Sequence, residues 1–353
     1  KEPVMATLGP VTDTHKFDEA GLARYLADNG LPACAGAIKV QQFQGGQSNP
    51  TFALNAGSKR YVLRKKPPGK LLPSAHLIER EYRIMAALAD SDVPVPVMHH
   101  LCEDASIIGT PFFVMDYMDG RVVDDTSLPG DFSPAERGAI YDSMNEAMAA
   151  LHRVDFKAVG LDDYGKPENY IGRQIDRWTR QFEAAKTDPM PAMEELMAWL
   201  PAHRPQGDEV SIAHGDFRMG NLMLHPTEPR VIAVLDWELS TLGHPLADLG
   251  YNVMPYSLPH DGTSLNGLDG LDIKAAGIPA QDDYVAAYAK RTGRDDIAEI
   301  NFYLAFSCFR LASICQGVYA RGIQGNASSE NAVLVGAKAP RLASIGWEIA
   351  QAM

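Results

Sequence analysis

The sequence predicts an α+β fold with a small β-rich N-terminal lobe and a larger helical C-terminal lobe. The chain of 353 residues is long for a single hydrophobic core. Short runs rich in β-branched and aromatic residues fill the first third, whereas the remainder shows the apolar spacing of helices. The change lies near residues 116–123, which places the two lobes at residues 1–118 and 119–353.

The N-terminal lobe is predicted to begin with a helix over residues 17–29, because Gly30 and Pro32 follow it and end helices. Alternating apolar and polar residues then predict strands. A proline-rich turn separates these strands from a second helix. The strands are predicted near residues 38–43, 51–54, 60–64 and 112–115, and the second helix over residues 75–89.

The C-terminal lobe is predicted to open with a helix reaching residue 153. Ser133 and Glu136 form a capping box, and Pro134 takes the first helical position. Gly, Pro, Ser and Asp are frequent over residues 255–270, which predicts a long loop of the kind that often carries function. Further helices are predicted over residues 170–186, 192–200, 282–290, 297–320 and 331–351.

Composition excludes several classes of partner. The net charge is −13 and no basic run offsets it, which argues against nucleic acid and anionic membranes. No apolar run approaches a membrane span and no signal-peptide pattern is present, so we expect a soluble protein. The four cysteines lie far apart and are expected to be reduced thiols in a cytoplasmic protein.

The segment His214–Asn221 and Asp236 contain the main chemical signal. The segment has the pattern H-x-D-x4-N, and Asp236 ends an apolar run fifteen residues after Asn221. Phosphoryl-transfer sites use this spacing for a base and two magnesium ligands. Asp216 can accept the proton of a hydroxyl nucleophile, while Asn221 and Asp236 offer the oxygen ligands that Mg²⁺ prefers.

Neighbouring residues are expected to support this segment. Arg218 can reach the γ-phosphoryl group of ATP and spread its charge. Gly215 and Gly220 allow the loop to bend tightly. His214 is expected to hydrogen-bond the loop backbone, and Asp248 to accept hydrogen bonds from the loop amides.

A glycine-bearing turn between two predicted strands is a candidate phosphate cover. Its backbone N–H groups can bind triphosphate oxygens, although the pattern is neither a P-loop nor G-x-G-x-x-G, and a plain hairpin turn is the alternative. The residues assigned to nucleotide binding here are Gly45, Gly46, Gln47 and Ser48.

The strand after the turn and the strand before the helical region supply the remaining nucleotide contacts. Val62 and Arg64 share one face of their strand, so that Val62 can cover the adenine and Arg64 can reach the phosphates. Glu79 and Glu81 on the following helix are both candidates to orient Arg64. Met115 is expected to border the adenine pocket, with the backbone after it hydrogen-bonding the adenine edge.

Together these motifs resemble the aminoglycoside phosphotransferase and choline kinase superfamily, which has the protein-kinase-like fold. The resemblance is carried by H-G-D-x4-N, L-D-W-E, the V-L-R strand, the E-R-E helix and V-P-V-P, in that order, over residues 38–250. It implies ATP and Mg²⁺ as cofactors. It also implies that Asp216 is the base, that Glu81 is the partner of Arg64, and that the backbone of Asp116 and Met118 contacts adenine.

Residues 61–72 and 109–112 are similar to one branch of that superfamily, the kinase-like domain found fused to or alongside acyl-CoA dehydrogenases. This similarity implies an acyl-CoA dehydrogenase as a partner, and some relatives are thought to phosphorylate hydroxylated acyl thioesters. In one departure from the wider fold, arginine replaces lysine at position 64.

The sequence therefore predicts a kinase that transfers phosphate from ATP to a hydroxyl of a small molecule. A protein acceptor is not expected, because no activation loop ending in A-P-E is present. Two alternatives stay open: a weakly active nucleotide-binding partner module of an acyl-CoA dehydrogenase, and a magnesium-dependent hydrolase. The acceptor also stays open, since acidic residues favour an amine or aminoglycoside and basic residues favour a carboxylate or CoA phosphate. The acidic set is Asp261, Asp269 and Asp272, and the basic set is Arg173, Arg177, Arg180, Arg310 and Arg321.

Overall fold

The structure is a computed structural model that describes residues 7–44, 49–67, 77–262, 265–325 and 331–353. The predicted phosphate-covering turn at Gly45, Gly46, Gln47 and Ser48 lies outside the described residues. The fold is α+β, as predicted, with a β-sheet in the N-terminal region and helices dominating the rest.

An antiparallel sheet forms the N-terminal region, and its six strands in the described part of the chain follow the order β1-β2-β3-β4-β6-β5. In the register of β4 with β6, Val62 pairs with Met115 and Arg64 with Phe113. The strands are β1 Leu8–Gly9, β2 Ile38–Phe43, β3 Thr51–Ala56, β4 Lys59–Lys65, β5 Met98–Cys102 and β6 Phe112–Asp116.

The two faces of this sheet bury different partners because side chains alternate along a strand. One face, including Leu63 and Val114, packs with helix α1 (Glu19–Asp28) in a core of its own. The other face, including Phe113, packs with helix α2 (Ile78–Ala87) in the core that continues into the helical region. Helix α1 begins two residues later than predicted because Asp18 accepts a hydrogen bond from Gly21 N (2.9 Å) and so occupies the cap position.

Helices dominate the chain after β6. The long helix α9 is buried at its centre and packs against α4, α6, α10 and α11. The helices are α3 Pro134–Arg153, α4 Tyr170–Ala185, α5 Pro191–Ala202, α6 Pro245–Val253, α7 Ile273–Ala276, α8 Gln281–Arg291, α9 Ile300–Ile323, α10 Ala332–Gly336 and α11 Ala339–Gln351. In the described part of the chain, none of the helices combines the length and the apolar character that crossing a membrane requires.

Over the residues that the structure describes, five short strands accompany these helices. The hairpin of β9 and β10 is extended by β7, and β8 pairs with β11. The strands are β7 Arg121–Val122, β8 Ser211–Ala213, β9 Leu222–Leu224, β10 Val231–Val234 and β11 Thr241–Gly243.

The capping box at the start of α3 is confirmed, since Glu136 N donates to Ser133 Oγ (3.2 Å) and Ser133 N donates to Glu136 Oε2 (2.8 Å). The helix predicted over residues 331–351 is wrong in one respect, because it is two helices. Pro340 has no N–H, and its ring clashes with the carbonyl four residues earlier in a continuous helix. The chain therefore ends α10 at Gly336 and starts α11 at Ala339.

Candidate active site

Asp216 lies just after β8, in the loop that leads into the 3-10 turn Met219–Asn221. The side-chain Nδ2 of Asn221 donates to the Asp216 carbonyl oxygen (2.9 Å) and to its carboxylate Oδ2 (2.7 Å). Both N–H groups of that amide thus face Asp216, and among the described residues no donor is recorded on Asn221 Oδ1. This oxygen is the free ligand atom of the pair.

Asp236 follows β10 and is brought to Asn221 by the backbone, because Leu235 N donates to Asn221 O (2.8 Å). Its backbone is left-handed, at φ 65°. A non-glycine residue in this region is strained by about 1 kcal/mol or more, and such strain persists where the surroundings fix it. With this backbone conformation, the partly exposed carboxylate of Asp236 lines the cleft between the sheet and the β9–β10 hairpin.

The backbone beside Asp216 is held by the buried carboxylate of Asp248 on α6. Asp248 Oδ2 accepts from His214 N (2.6 Å), and Oδ1 accepts from Gly215 N (2.9 Å). Burial alone raises the pKa of Asp248, but hydrogen bonds from His152 and Gly215 outweigh it and the net pKa is lowered. Asp248 is therefore an ionised acceptor for the loop, as the sequence predicts.

His214 makes the backbone hydrogen bonds expected of it. Its Nε2 donates to Leu235 O (2.9 Å), and its Nδ1 accepts from Asp216 N (3.2 Å). Burial lowers the pKa of His214, which keeps the ring neutral and preserves one donor and one acceptor. The ring thereby ties the loop of Asp216 to the strand end before Asp236.

Arg64 connects the sheet to helix α2 and to Asp236. Its Nε lies 3.0 Å from Glu81 Oε2 as an ion pair, and its Nη2 lies 3.5 Å from Asp236 Oδ1. Burial raises the pKa of Glu81 to about 7, with Arg64 acting in the opposite direction. Of the two sequence candidates, Glu81 is the partner of Arg64, whereas Glu79 pairs with Lys66.

These groups line a cleft of about 690 Å³ between the sheet and the β9–β10 hairpin. Its polar end contains Arg64, Glu81, Asn221 and Asp236, and its apolar part contains side chains from both sides of the cleft. The apolar lining includes Val62, Met85, Phe113, Met115, Met223 and Leu235. An adjoining cavity of about 430 Å³ continues past Met115 along residues 116–122.

The connection after β6 is the segment whose backbone is predicted to contact a nucleotide base. The N–H of Asp116 is engaged, because it donates to Val97 O (2.9 Å). Among the described residues, no carbonyl is recorded as the acceptor of Met118 N–H, and Met118 lines the smaller cavity. Met118 N–H is thus the backbone donor available at this edge.

Arg218 lies beside the candidate base. It forms an ion pair with Asp124, and its Nε is 3.5 Å from Asp216 Oδ2. The side chain is partly exposed, so the guanidinium can exchange Asp124 for an anionic ligand.

The residues proposed to select an acceptor have mostly internal partners. Asp261 pairs with Arg341 (2.9 Å), and Asp272 caps helix α7 by accepting from Ala275 N (2.9 Å). Arg310 is buried and donates to Gly215 O. No sequence motif singled out Tyr251, whose ring lies 5.4 Å from Arg310 Cζ. Burial and the Asp216 carboxylate both raise the pKa of its phenol. Its position one turn after Asp248 on α6 is the signal that predicts this placement.

The fold is that of kinase-like phosphotransferases. The chain belongs to the phosphotransferase enzyme family, whose model matches residues 39–299. It is 46% identical over 341 residues to acyl-CoA dehydrogenase family member 10 of Mus musculus, covering 97% of this chain and 32% of that protein. It is 42% identical over 349 residues to family member 11 of Homo sapiens, covering 98% of this chain and 44% of that protein. The chain thus spans less than half the length of these curated relatives.

Solved structures show the same fold. A protein from Ralstonia eutropha JMP134, provisionally assigned as an aminoglycoside phosphotransferase, aligns with a TM-score of 0.88 and 51% identity over 96% of this chain and 99% of that one. Aminoglycoside phosphotransferase APH(4)-Ia, in complex with ADP and hygromycin B, aligns with a TM-score of 0.59 and 16% identity over 92% and 99% of the two chains. Choline kinase from Cryptosporidium parvum gives 0.61 and 10% identity over 94% of each chain. The predicted superfamily and its kinase-like fold are confirmed.

Proposed function

We propose that this protein is an ATP- and Mg²⁺-dependent phosphotransferase that transfers the γ-phosphoryl group to a hydroxyl of a small molecule. The observation that most supports this function is the linked trio of Asp216, Asn221 and Asp236, of which Asn221 and Asp236 line the polar end of the cleft. Two hydrogen bonds join Asn221 to Asp216, and one backbone hydrogen bond joins Asn221 to the residue before Asp236. A base and two oxygen ligands are what phosphoryl transfer to a hydroxyl needs.

The apolar part of the cleft suits a nucleotide base. Val62 and Met115 line it from the sheet, and Met223 and Leu235 line it from the other side. In the adjoining cavity, Met118 offers a backbone N–H that has no acceptor among the described residues. The ADP and AMP-PNP complexes of two structural neighbours support a nucleotide in this fold.

The donor set fits Mg²⁺. Among the described residues, no three His, Cys, Asp or Glu side chains are grouped to hold a metal by themselves. Asn221 Oδ1 and the Asp236 carboxylate are two hard oxygen ligands, which is typical of Mg²⁺ sites completed by substrate phosphates. When bound there, Mg²⁺ supplies charge neutralisation for the phosphates.

The roles of the side chains follow from their contacts. Asp216 receives or orients the hydroxyl proton, and Asn221 fixes the rotamer of its carboxylate. Arg64 binds phosphate oxygens while Glu81 holds it in place. Arg218 stabilises the charge on the transferring group from beside the base.

The acceptor is aminoglycoside-like or hydroxyacyl-CoA-like. The first class is supported by structural neighbours in complex with hygromycin B and with spectinomycin, and the second by relatives named as acyl-CoA dehydrogenase family members. The internal partners of Asp261 and Asp272 weaken the case for a cationic acceptor. An acyl-CoA dehydrogenase is the corresponding partner protein.

The second candidate function is a weakly active nucleotide-binding module that serves an acyl-CoA dehydrogenase. Arg64 favours it, because a larger guanidinium stands where the wider fold has a lysine and also contacts Asp236. The presence of Asp216, Asn221 and Asp236 together weighs against it.

A screen of ATP consumption over aminoglycosides, amino alcohols and hydroxyacyl-CoA thioesters tests the proposal. Wild type is expected to consume ATP with at least one acceptor class, and Asp216→Asn to lose that activity while still binding ATP. Asp28→Asn, an exposed aspartate on α1, is the matched control. Equal background rates for wild type and Asp216→Asn would favour the binding module.

A further inference from the structure

Arg310 is a buried cation that lacks a carboxylate partner. It lies on α9 and is 8% exposed, and no Asp or Glu of the described residues lies within 4 Å of its guanidinium. An unpaired charge in a protein interior costs several kcal/mol, and an apolar side chain in its place is often more stable. A buried arginine at this position therefore indicates a functional reason for the charge.

The neighbours of this guanidinium lie at the candidate active site. Its Nη2 donates to the carbonyl oxygen of Gly215, the residue immediately before Asp216. The rings of Trp178 and Tyr251 lie 5.8 and 5.4 Å from its Cζ and supply cation–π contacts in place of a carboxylate. Its Nε is buried without an acceptor. The side chain is thus placed so that the Gly215 carbonyl has a donor while the Nε–H of Arg310 has no acceptor among the described residues.

The other end of Gly215 is held by the opposite charge. Its N–H donates to the buried carboxylate of Asp248 on α6, while its carbonyl accepts from Arg310 on α9. Gly215 is thus hydrogen-bonded to an anion at one end and to a cation at the other. Gly215 has a left-handed backbone at φ 82°, a conformation that glycine adopts without its neighbours forcing it. Two charged contacts restrict that freedom and with it the direction of the next residue, Asp216.

We propose that Arg310 is a positioning residue for phosphoryl transfer, which fixes the Gly215 carbonyl and so the direction of the Asp216 carboxylate. We call the two contacts that Arg310 and Asp248 make with Gly215 the clamp. The effect of the clamp on catalysis rests on the proposed function, whereas the clamp itself does not. A misplacement of about 1 Å at a reacting group can lower a rate by about 100-fold. Arg310 does not line the cleft proposed to hold the nucleotide, so the loss is expected in kcat and not in ATP affinity.

The test compares Arg310→Met, which keeps the length and removes the charge, with Arg310→Lys, which keeps a cationic donor. Arg24→Met, an exposed arginine on α1 and away from the site, is the matched control. Three quantities are measured for each variant: kcat with the acceptor found by the ATP-consumption screen, the Kd of ATP, and hydrogen exchange at the Gly215 and Asp216 amides. The expected result for Arg310→Met is a kcat lower by about 100-fold, an unchanged Kd and faster exchange at both amides. Arg310→Lys recovers part of each loss.

Faster exchange at these two amides in a folded Arg310→Met protein supports the clamp even if wild type proves to transfer no phosphoryl group, an outcome that would defeat only the proposed function. Exchange and kcat equal to wild type would overturn the role of Arg310. If Arg310→Met does not fold, Arg310→Gln, which also lacks the charge, takes its place. Faster exchange at the Gly215 and Asp216 amides would support the clamp, whereas exchange and kcat equal to wild type would overturn it.

Discussion

The side-chain amide of Asn221 donates to both the carbonyl and the carboxylate of Asp216, which makes the candidate base and one candidate metal ligand a single hydrogen-bonded unit. The unit orients the carboxylate of Asp216 and simultaneously turns Oδ1 of Asn221 away from it. We therefore propose two separable functions for Asn221, which substitutions can distinguish.

Replacing Asn221 by Ala is expected to remove both functions. We predict a kcat lower by about 100-fold or more and a higher Mg²⁺ concentration for half-maximal activity. Asp236→Asn is the comparison, since it weakens the metal ligand without touching the hydrogen bonds to Asp216. A variant Asn221→Ala with wild-type Mg²⁺ dependence would exclude Asn221 as a ligand.

Arg64→Met is expected to weaken ATP binding and to destabilise the protein. It leaves Glu81, which is 2% exposed, without its cation, and breaking a buried pair costs about 3–5 kcal/mol. Arg64→Lys keeps the charge and should retain most of the stability. Equilibrium denaturation and ATP titration measure the two effects. Stability losses of equal size in both variants would show that the charge of Arg64 does not act on Glu81.

The carboxyl of Glu81 predicts a pH dependence of stability. Burial raises its pKa from 4.5 to about 7, so the folded state binds a proton that the unfolded state has released between these values. Glu81 therefore contributes most below pH 4.5, and its contribution is lost as the pH rises through about 7. We expect the unfolding free energy of wild type relative to Glu81→Gln to fall by about 3 kcal/mol over this range. A difference that is constant with pH, or one that grows, would contradict the assignment.

Gly215→Ala tests the tight approach of the loop to the turn after Asp236. A Cβ there meets Leu239 O at 2.8 Å in addition to the strain of φ 82°. At Gly57, also left-handed at φ 60°, a Cβ meets nothing within 4 Å. Gly57→Ala thus reports the backbone strain alone, about 1–2 kcal/mol. We predict that Gly215→Ala loses more unfolding free energy than Gly57→Ala does. A lower kcat is expected for Gly215→Ala and not for Gly57→Ala. Equal losses in the two variants would mean that the loop yields to the added methyl group.

The parts of the site that are local in sequence were predictable. Asp216 and Asn221 are five residues apart, and one hairpin, β9–β10, separates Asn221 from Asp236. Their spacing along the chain therefore indicates that the three residues lie together. The contact between Asp248 and the loop was predictable from the helix start at which Asp248 lies. The choice of Glu81 over Glu79 needed the resemblance as well as the residues, and the ion pair with Arg64 agrees with it.

Other features leave no local pattern. Arg310 reaches Gly215 across 95 residues, and Asn49 donates to Glu81 across 32. Such contacts depend on how helices and strands pack, which periodicity does not encode. The left-handed backbone of Asp236 is also invisible in the sequence, because a residue other than glycine gives no signal for it. The break at Pro340, by contrast, can be read from the sequence, because proline ends or kinks a helix.

The central claim is that this chain moves a phosphoryl group from ATP to a hydroxyl through Asp216. The most direct test supplies ATP labelled at the γ-phosphate with each acceptor class and measures label on the acceptor separately from label in free phosphate. We predict labelled acceptor with wild type, and none with Asp216→Asn that still binds ATP. Label found only in free phosphate would identify a hydrolase, and equal labelling by wild type and Asp216→Asn would contradict the role of Asp216.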